Sequence, residues 1–177
     1  MSYRSRLLLG AGLLAIATLG RAQAHVTLEV EEAAPDSTYK AVLRVGHGCE
    51  GKPTITIRVK IPEGVIAAKP MPKPGWRLAT ATGKYAQSYD YFGATTSEGV
   101  TEIAWTGGDL PDDFYDEFVF RARLTGFAPG TVVHFPVVQE CTDGTVHRWI
   151  EIPAAGKTAD DYEEPAPGVT IVDRPAR

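Results

Sequence analysis

Cysteine and methionine are scarce in this 177-residue sequence, with two of each. A copper(I) site rich in soft sulfur ligands finds little to build on, since Met71 is the one methionine beyond the first residue. Cys49 and Cys141 stand too far apart for a short metal-binding spacing and read as a disulfide; a thiolate metal pair is the competing reading. Lysine and arginine total 18 against 22 acidic residues, with no basic cluster along the chain, which argues against nucleic acid or an anionic membrane surface as partner. No Ser-His-Asp set, glycine-rich phosphate loop or paired zinc-ligand motif occurs, so hydrolytic and nucleotide chemistry have no visible basis. Beyond the first residues there is no long hydrophobic run and no window with a 3.6-residue apolar stripe.

The one continuous apolar stretch lies at the start. Arg4 and Arg6 precede the run Leu7 to Leu19, and Ala22-Gln23-Ala24 follows as a small-x-small cleavage site. This is the pattern of an export signal, and the run is short for a membrane span of about 20 residues. Cleavage after Ala24 leaves 153 residues, enough for one domain with its own core. It also removes Arg4, Arg6 and Arg21 and takes the formal charge from −4 to −7. The expected location is periplasmic or secreted, with no membrane attachment after cleavage.

From residue 25 onward the chain reads as strands and turns. Val26, Leu28 and Val30 alternate with polar residues, Pro35 and Asp36 mark a turn, and Ala41, Leu43 and Val45 resume the alternation. Ile55, Ile57, Val59 and Ile61 form the cleanest strand, and further strands are expected near 100–105, 117–124, 132–138 and 146–152. About seven short strands with Pro/Gly turns imply an all-β, two-sheet sandwich forming a single domain over 25–152. The proline-rich stretch Lys69 to Gly75 cannot be a central strand. Residues 153–177 are polar, acidic and proline-bearing and read as a loosely packed C-terminal tail. Tyr85, Tyr89, Tyr91 and Phe92 read as an aromatic-rich loop.

Cleavage after Ala24 would make His25 the first residue. An α-amine and an imidazole Nδ1 on one residue can chelate one metal ion in a six-membered ring, and with reference pKa values of about 8 and about 6.5 both lose their protons at modest cost near neutrality. Nitrogen ligands in a tetragonal arrangement suit copper(II). A turn centred near Pro35 sets His25 opposite residues around 45, close to the loop Gly46-His47-Gly48-Cys49-Glu50-Gly51 with its imidazole and carboxylate. A Cys49–Cys141 bond would tie that loop to the strand ending at Cys141 and bring Trp149 near. Trp149 shares a strand face with His147 and Glu151, while Val146, Ile150 and Ile152 lie on the other. If the aliphatic face is the core, Trp149 points outward or into a cleft; the alternative is that it covers a sheet edge or is core. His134 reads as structural.

These residues belong to a longer ordered series. Ala24-His25-Val26-Thr27-Leu28 is followed by Ile61-Pro62-Glu63-Gly64-Val65, Lys73-Pro74-Gly75-Trp76 and Ile103-Ala104-Trp105-Thr106-Gly107-Gly108. Asp116-Glu117-Phe118-Val119-Phe120, Phe135-Pro136-Val137-Val138-Gln139 and Val146-His147-Arg148-Trp149 complete it. In this series the chain resembles the YcnI-like copper-binding family over about 25–152. The resemblance implies a cupredoxin-like or immunoglobulin-like sandwich that holds copper(II) with a single-histidine brace, a carboxylate and a nearby tryptophan. His25 matches the brace and Trp149 the tryptophan. Family members with Val-Pro-x-Glu carry the carboxylate where this chain reads Val45-Gly46-His47-Gly48-Cys49-Glu50, so Glu50 is the candidate and His47 a substitute or supplement. Glu32 also fits a family position, but an extended strand would set it about 23 Å from His25.

The leading expectation is an exported copper(II)-binding protein, not an enzyme, that captures, stores or hands copper to other extracytoplasmic copper proteins. A copper-dependent monooxygenase with His47 or His147 as second imidazole is the alternative, and a metal-free interaction sandwich is a third.

Overall fold

The computed structural model describes residues 25–173. The expected export signal and the expected cleavage site after Ala24 lie outside the described residues, as does the end of the expected tail. Twelve strands run β1 Thr27–Leu28, β2 Glu32–Ala33, β3 Ser37–Val45, β4 Thr54–Lys60, β5 Val65–Pro70, β6 Arg77–Tyr91, β7 Ala94–Leu110, β8 Asp116–Leu124, β9 Val132–His134, β10 Val137–Cys141, β11 Val146–Trp149 and β12 Gly168–Ile171. The fold is an all-β, immunoglobulin-like sandwich. One sheet has the order β1-β3-β8-β5, the other β11-β10-β4-β7-β6.

Alternation along each strand puts the expected apolar residues between the sheets. Ala41, Leu43, Val45, Ile57, Val59, Phe118, Phe120 and Leu124 are almost wholly buried. Burying each such large aliphatic or aromatic side chain favours folding by about 1.5–3 kcal/mol. Rings knit the layers together. Phe135 sits 5.6 Å from Phe120 and 6.4 Å from Tyr39, and Trp105 sits 5.5 Å from Phe118. The loop after β5 is held by Trp76, edge-on to Phe118 at 4.9 Å. A Cβ at Gly108 would come within 2.1 Å of the Trp76 ring, so only glycine lets the indole lie there.

Three expectations need correction. A third sheet, β2-β12-β9, closes one side of the sandwich. Its β12 falls inside the supposed tail, where Pro165, Ala166, Pro167, Val169 and Ile171 are buried. β12 pairs in parallel with β2 and antiparallel with β9, so backbone hydrogen bonds as well as apolar contacts hold it. The domain therefore runs through 171, and the segment 153–167 before β12 holds no strand beyond an isolated bridge between Glu151 and Pro165. The tyrosine-rich segment is not a loop but part of the β6–β7 hairpin, closed by a two-residue turn in which Phe92 and Gly93 both take positive φ. Its far half crosses to the β5 side, where Ala86 N and the Tyr89 hydroxyl both donate to Glu63 Oε1, at 3.1 and 2.6 Å.

On the strand carrying Trp149 the second of the two readings holds. Val146, Ile150 and Ile152 are exposed, and Trp149 is only 4% exposed. β11 pairs with β10 through Val137↔Trp149 and Gln139↔His147, and Val137, Gln139 and Cys141 face inward. Cross-strand partners share a face, so this register turns Trp149 into the core.

Candidate functional site

His25 lies two residues before β1, whose pairs are Thr27↔Arg44 and Leu28↔Leu43. That register matches a turn centred near Pro35. The half-buried His25 ring lies 5.8 Å from the Trp149 ring, tilted by 57°. The His147 ring stacks on Trp149 at 5.4 Å and 25°. One indole thus contacts two imidazoles.

Beneath the rings runs a buried chain of hydrogen bonds. Trp149 Nε1 donates to Gln139 Oε1 at 3.0 Å, and Gln139 Nε2 donates to Thr54 Oγ1 at 2.8 Å and to the His47 carbonyl at 2.9 Å. Gln139 is 1% exposed, so its amide is aligned by partners on every side rather than by water. The chain links Trp149 to the His47 loop. The Cys49–Cys141 disulfide makes the same link covalently, with Cα atoms 6.0 Å apart across a separation of 92 residues. Gly48 is needed between them, because a Cβ there would meet the Lys52 carbonyl at 2.1 Å.

His147 Nδ1 donates to Glu164 Oε1 at 2.8 Å, and the other carboxylate oxygen accepts from Arg148 N at 3.0 Å. Glu151 Oε2 in turn accepts from Glu164 N at 2.7 Å. This carboxylate–imidazole pair fixes the ring plane and leaves Nε2 as the remaining nitrogen. Beside His25 opens a groove of about 460 Å³, lined by Leu28, Glu31, Val132, His134 and the segments 153–159 and 165–168. His134 Nδ1 sits 3.2 Å from the Ala166 carbonyl and anchors the second of those segments.

The structure brings His25, Trp149 and His147 together. It does not bring His47 or Glu50 to them as side-chain partners. The His47 ring turns to its own loop, with Nδ1 2.5 Å from the Gly48 carbonyl and 3.8 Å from Asp112 Oδ1. Glu50 sits exposed, with φ 50, in the turn closed by the Cys49–Lys52 hydrogen bonds. Among the described residues no three or more His, Cys, Asp or Glu side chains gather as a metal cluster. A metal here would rest chiefly on the two nitrogens that one terminal histidine can offer, beside the indole. Sequence reasoning missed Gln139, Thr54 and Glu164. Gln139 alone had a signal, a polar residue in phase with inward Val137 and Cys141.

A solved immunoglobulin-like structure of an uncharacterized protein from Nocardia farcinica is similar to this chain, at 27% identity and a TM-score of 0.60 over 84% of this chain and 98% of that one. No curated protein matches it. The model of a family described as a domain of unknown function, DUF1775, matches residues 25–171, from the first residue of the histidine–tryptophan contact to the last of β12, and the chain belongs to that family.

Proposed function

We propose that this protein is an exported copper(II)-binding protein of the YcnI-like type, in which cleavage after Ala24 releases the His25 α-amine as partner to its own imidazole. It captures or stores copper, or hands it to other copper proteins outside the cytoplasm. The observation that carries the reading is the His25–Trp149 ring contact of 5.8 Å. The indole walls one side of the chelating residue, and the buried Gln139 holds the indole in place. The Cys49–Cys141 bond fits an oxidising compartment. An ion at the rim, beside an open groove, would be within a partner's reach.

A second reading has one observation in its favour. His147 places an oriented imidazole against the same indole that His25 contacts, and a copper-dependent oxidative enzyme needs a second imidazole.

Copper(II) titration followed by EPR separates these readings. The samples are the chain beginning at His25, the same chain extended by one residue, and Trp149→Phe. The first should show nitrogen hyperfine coupling. The extension should weaken binding at least about tenfold, equivalent to about 1.4 kcal/mol, and Trp149→Phe should bind less tightly while still folded. Equal binding by the extended chain sinks the brace. Loss of one nitrogen coupling in His147→Gln, together with ascorbate-driven peroxide formation by the loaded protein, would favour the enzyme.

A further inference from the structure

The outer face of the four-stranded sheet carries a row of positive charge that no stretch of sequence contains. In the register of β3, β8 and β5, Lys40 lies opposite Arg121 and Lys69 lies opposite Arg121 from the other side. Three cations thus stand side by side across three strands, and all are exposed. Among the described residues none of the three forms an ion pair. Their neighbours do: Arg44 meets Glu117 and Glu29 at 3.3 and 3.0 Å, and Lys73 meets Asp116 at 2.6 Å. Arg123, two residues beyond Arg121, lies with its guanidinium 5.2 Å from the Phe92 ring centroid.

Like charges directly opposite on a sheet oppose folding, and this row rests on a local distortion. The β5–β8 register shifts by one residue between Ile66 and Lys69, and Ala67 takes φ 51. Without that bulge Ala68 would oppose Arg121; with it Ala68 turns to the core at 6% exposure and Lys69 completes the row. The three cations edge a groove of about 380 Å³ with apolar walls from Pro70, Met71, Pro72 and Val119. Met71 is 53% exposed there.

We propose that this groove docks an extended acidic segment of a partner protein, with carboxylates on Lys40, Lys69 and Arg121 and an apolar side chain against Met71. Two features favour a protein segment over an anionic membrane. The surface is concave with apolar walls, whereas a lipid sheet needs protruding groups. The whole chain is net acidic at −4, so a broad anionic surface would repel it beyond the short range of the row itself.

The test is fluorescence anisotropy with a labelled synthetic peptide of alternating glutamate and leucine, against wild type, Lys40→Gln/Arg121→Gln, and Lys60→Gln/Lys84→Gln as a charge-matched control outside the groove. The expected result is binding by wild type that weakens steeply with salt, at least tenfold loss in the groove variant, and less than twofold change in the control. Circular dichroism confirms that the groove variant is folded. Absence of wild-type binding, equal loss in both variants, or equal binding of a glutamine-for-glutamate peptide overturns the proposal. Preferential binding to phosphatidylglycerol vesicles that depends on Lys40 and Arg121 overturns it in favour of a lipid surface.

Discussion

Around Trp149 the sandwich buries polar groups and partners each of them, whereas on the outer face of the four-stranded sheet it sets three cations side by side and, among the described residues, pairs none. In the first region Gln139 serves Trp149, Thr54 and the His47 carbonyl at once, in a space closed to water. In the second, Lys40, Arg121 and Lys69 face one another in solvent. The buried network is rigid because a broken bond there cannot be replaced by water. The exposed row persists although repulsion opposes it, because water screens most of the cost. Rigidity suits a site that must hold one residue's two nitrogens in a fixed place. An unmatched surface charge suits a site that waits for a partner.

The buried region depends most on its covalent tie. Cys49→Ser/Cys141→Ser opens a loop of 92 residues and should destabilise the fold by about 4–5 kcal/mol in the chain-entropy model, lowering Tm on the order of 10 °C. A melt with and without reductant on wild type should reproduce the difference. Next comes Gln139→Leu, which leaves the Trp149 N–H and the Thr54 hydroxyl in the core without this partner. At about 1–3 kcal/mol for each buried group left unsatisfied, chemical denaturation should show a loss of about 3 kcal/mol. A loss below about 1 kcal/mol would mean that water reaches the network.

Tyr39 sharpens the comparison, being a buried polar group that is safe only while protonated. Its hydroxyl donates to the Val30 carbonyl, and burial, followed by the nearby Glu31 and Glu29, pushes its pKa up to about 12 from the usual 10.0. The folded value lies above the unfolded one. The stabilising contribution is therefore complete below pH ~10 and fades as pH rises toward 12. Wild type should lose on the order of 1 kcal/mol by pH ~11, and denaturation of Tyr39→Phe should show a shallower alkaline decline. Tyr85 and Tyr89, also raised chiefly by burial, leave part of the slope in place. At neutral pH Tyr39→Phe should cost about 1 kcal/mol for the lost hydrogen bond.

Much of the sandwich was legible because period-2 alternation marks any strand with one buried face, as in Ile55 to Ile61. The β6–β7 hairpin was not, since its far half is mostly exposed and carries no aliphatic residues at the positions that turn inward, Tyr85, Tyr89 and Tyr91. The direction of Trp149 was left open for a related reason. On an edge strand the aliphatic residues Val146 and Ile150 need not face the core, and only the register with Val137 and Gln139 decides the face. Composition hid β12 in an acidic segment, where Val169 and Ile171 are few but fully buried. Of the candidate site, the register of β1 against β3 was readable from the turn centre, and the disulfide from the cysteine count. The cation row was beyond reach, because Lys40, Lys69 and Arg121 meet only through strand pairing and a bulge.

The smallest effect separates the two halves of that sheet face. Glu117 and Arg121 lie four residues apart on β8 and on the same face, one opposite Arg44 and the other opposite Lys40. Neutralising each removes one charge from the same strand, yet the signs should differ. Glu117→Gln strips Arg44 of one acidic partner and should lower stability by a few tenths of a kcal/mol, as expected of an exposed pair. Arg121→Gln relieves two like-charge oppositions and should raise stability by about 0.2–1 kcal/mol, or about 1–3 °C in Tm. Both differences should shrink as salt shortens the Debye length from about 10 Å at 0.1 M to about 3 Å at 1 M. Thermal melts of the two variants at low and high salt read this directly. A stabilising effect of Arg121→Gln that ignores salt would point to packing rather than repulsion, and a loss of stability would show that the row is compensated and that the two halves of the face do not differ.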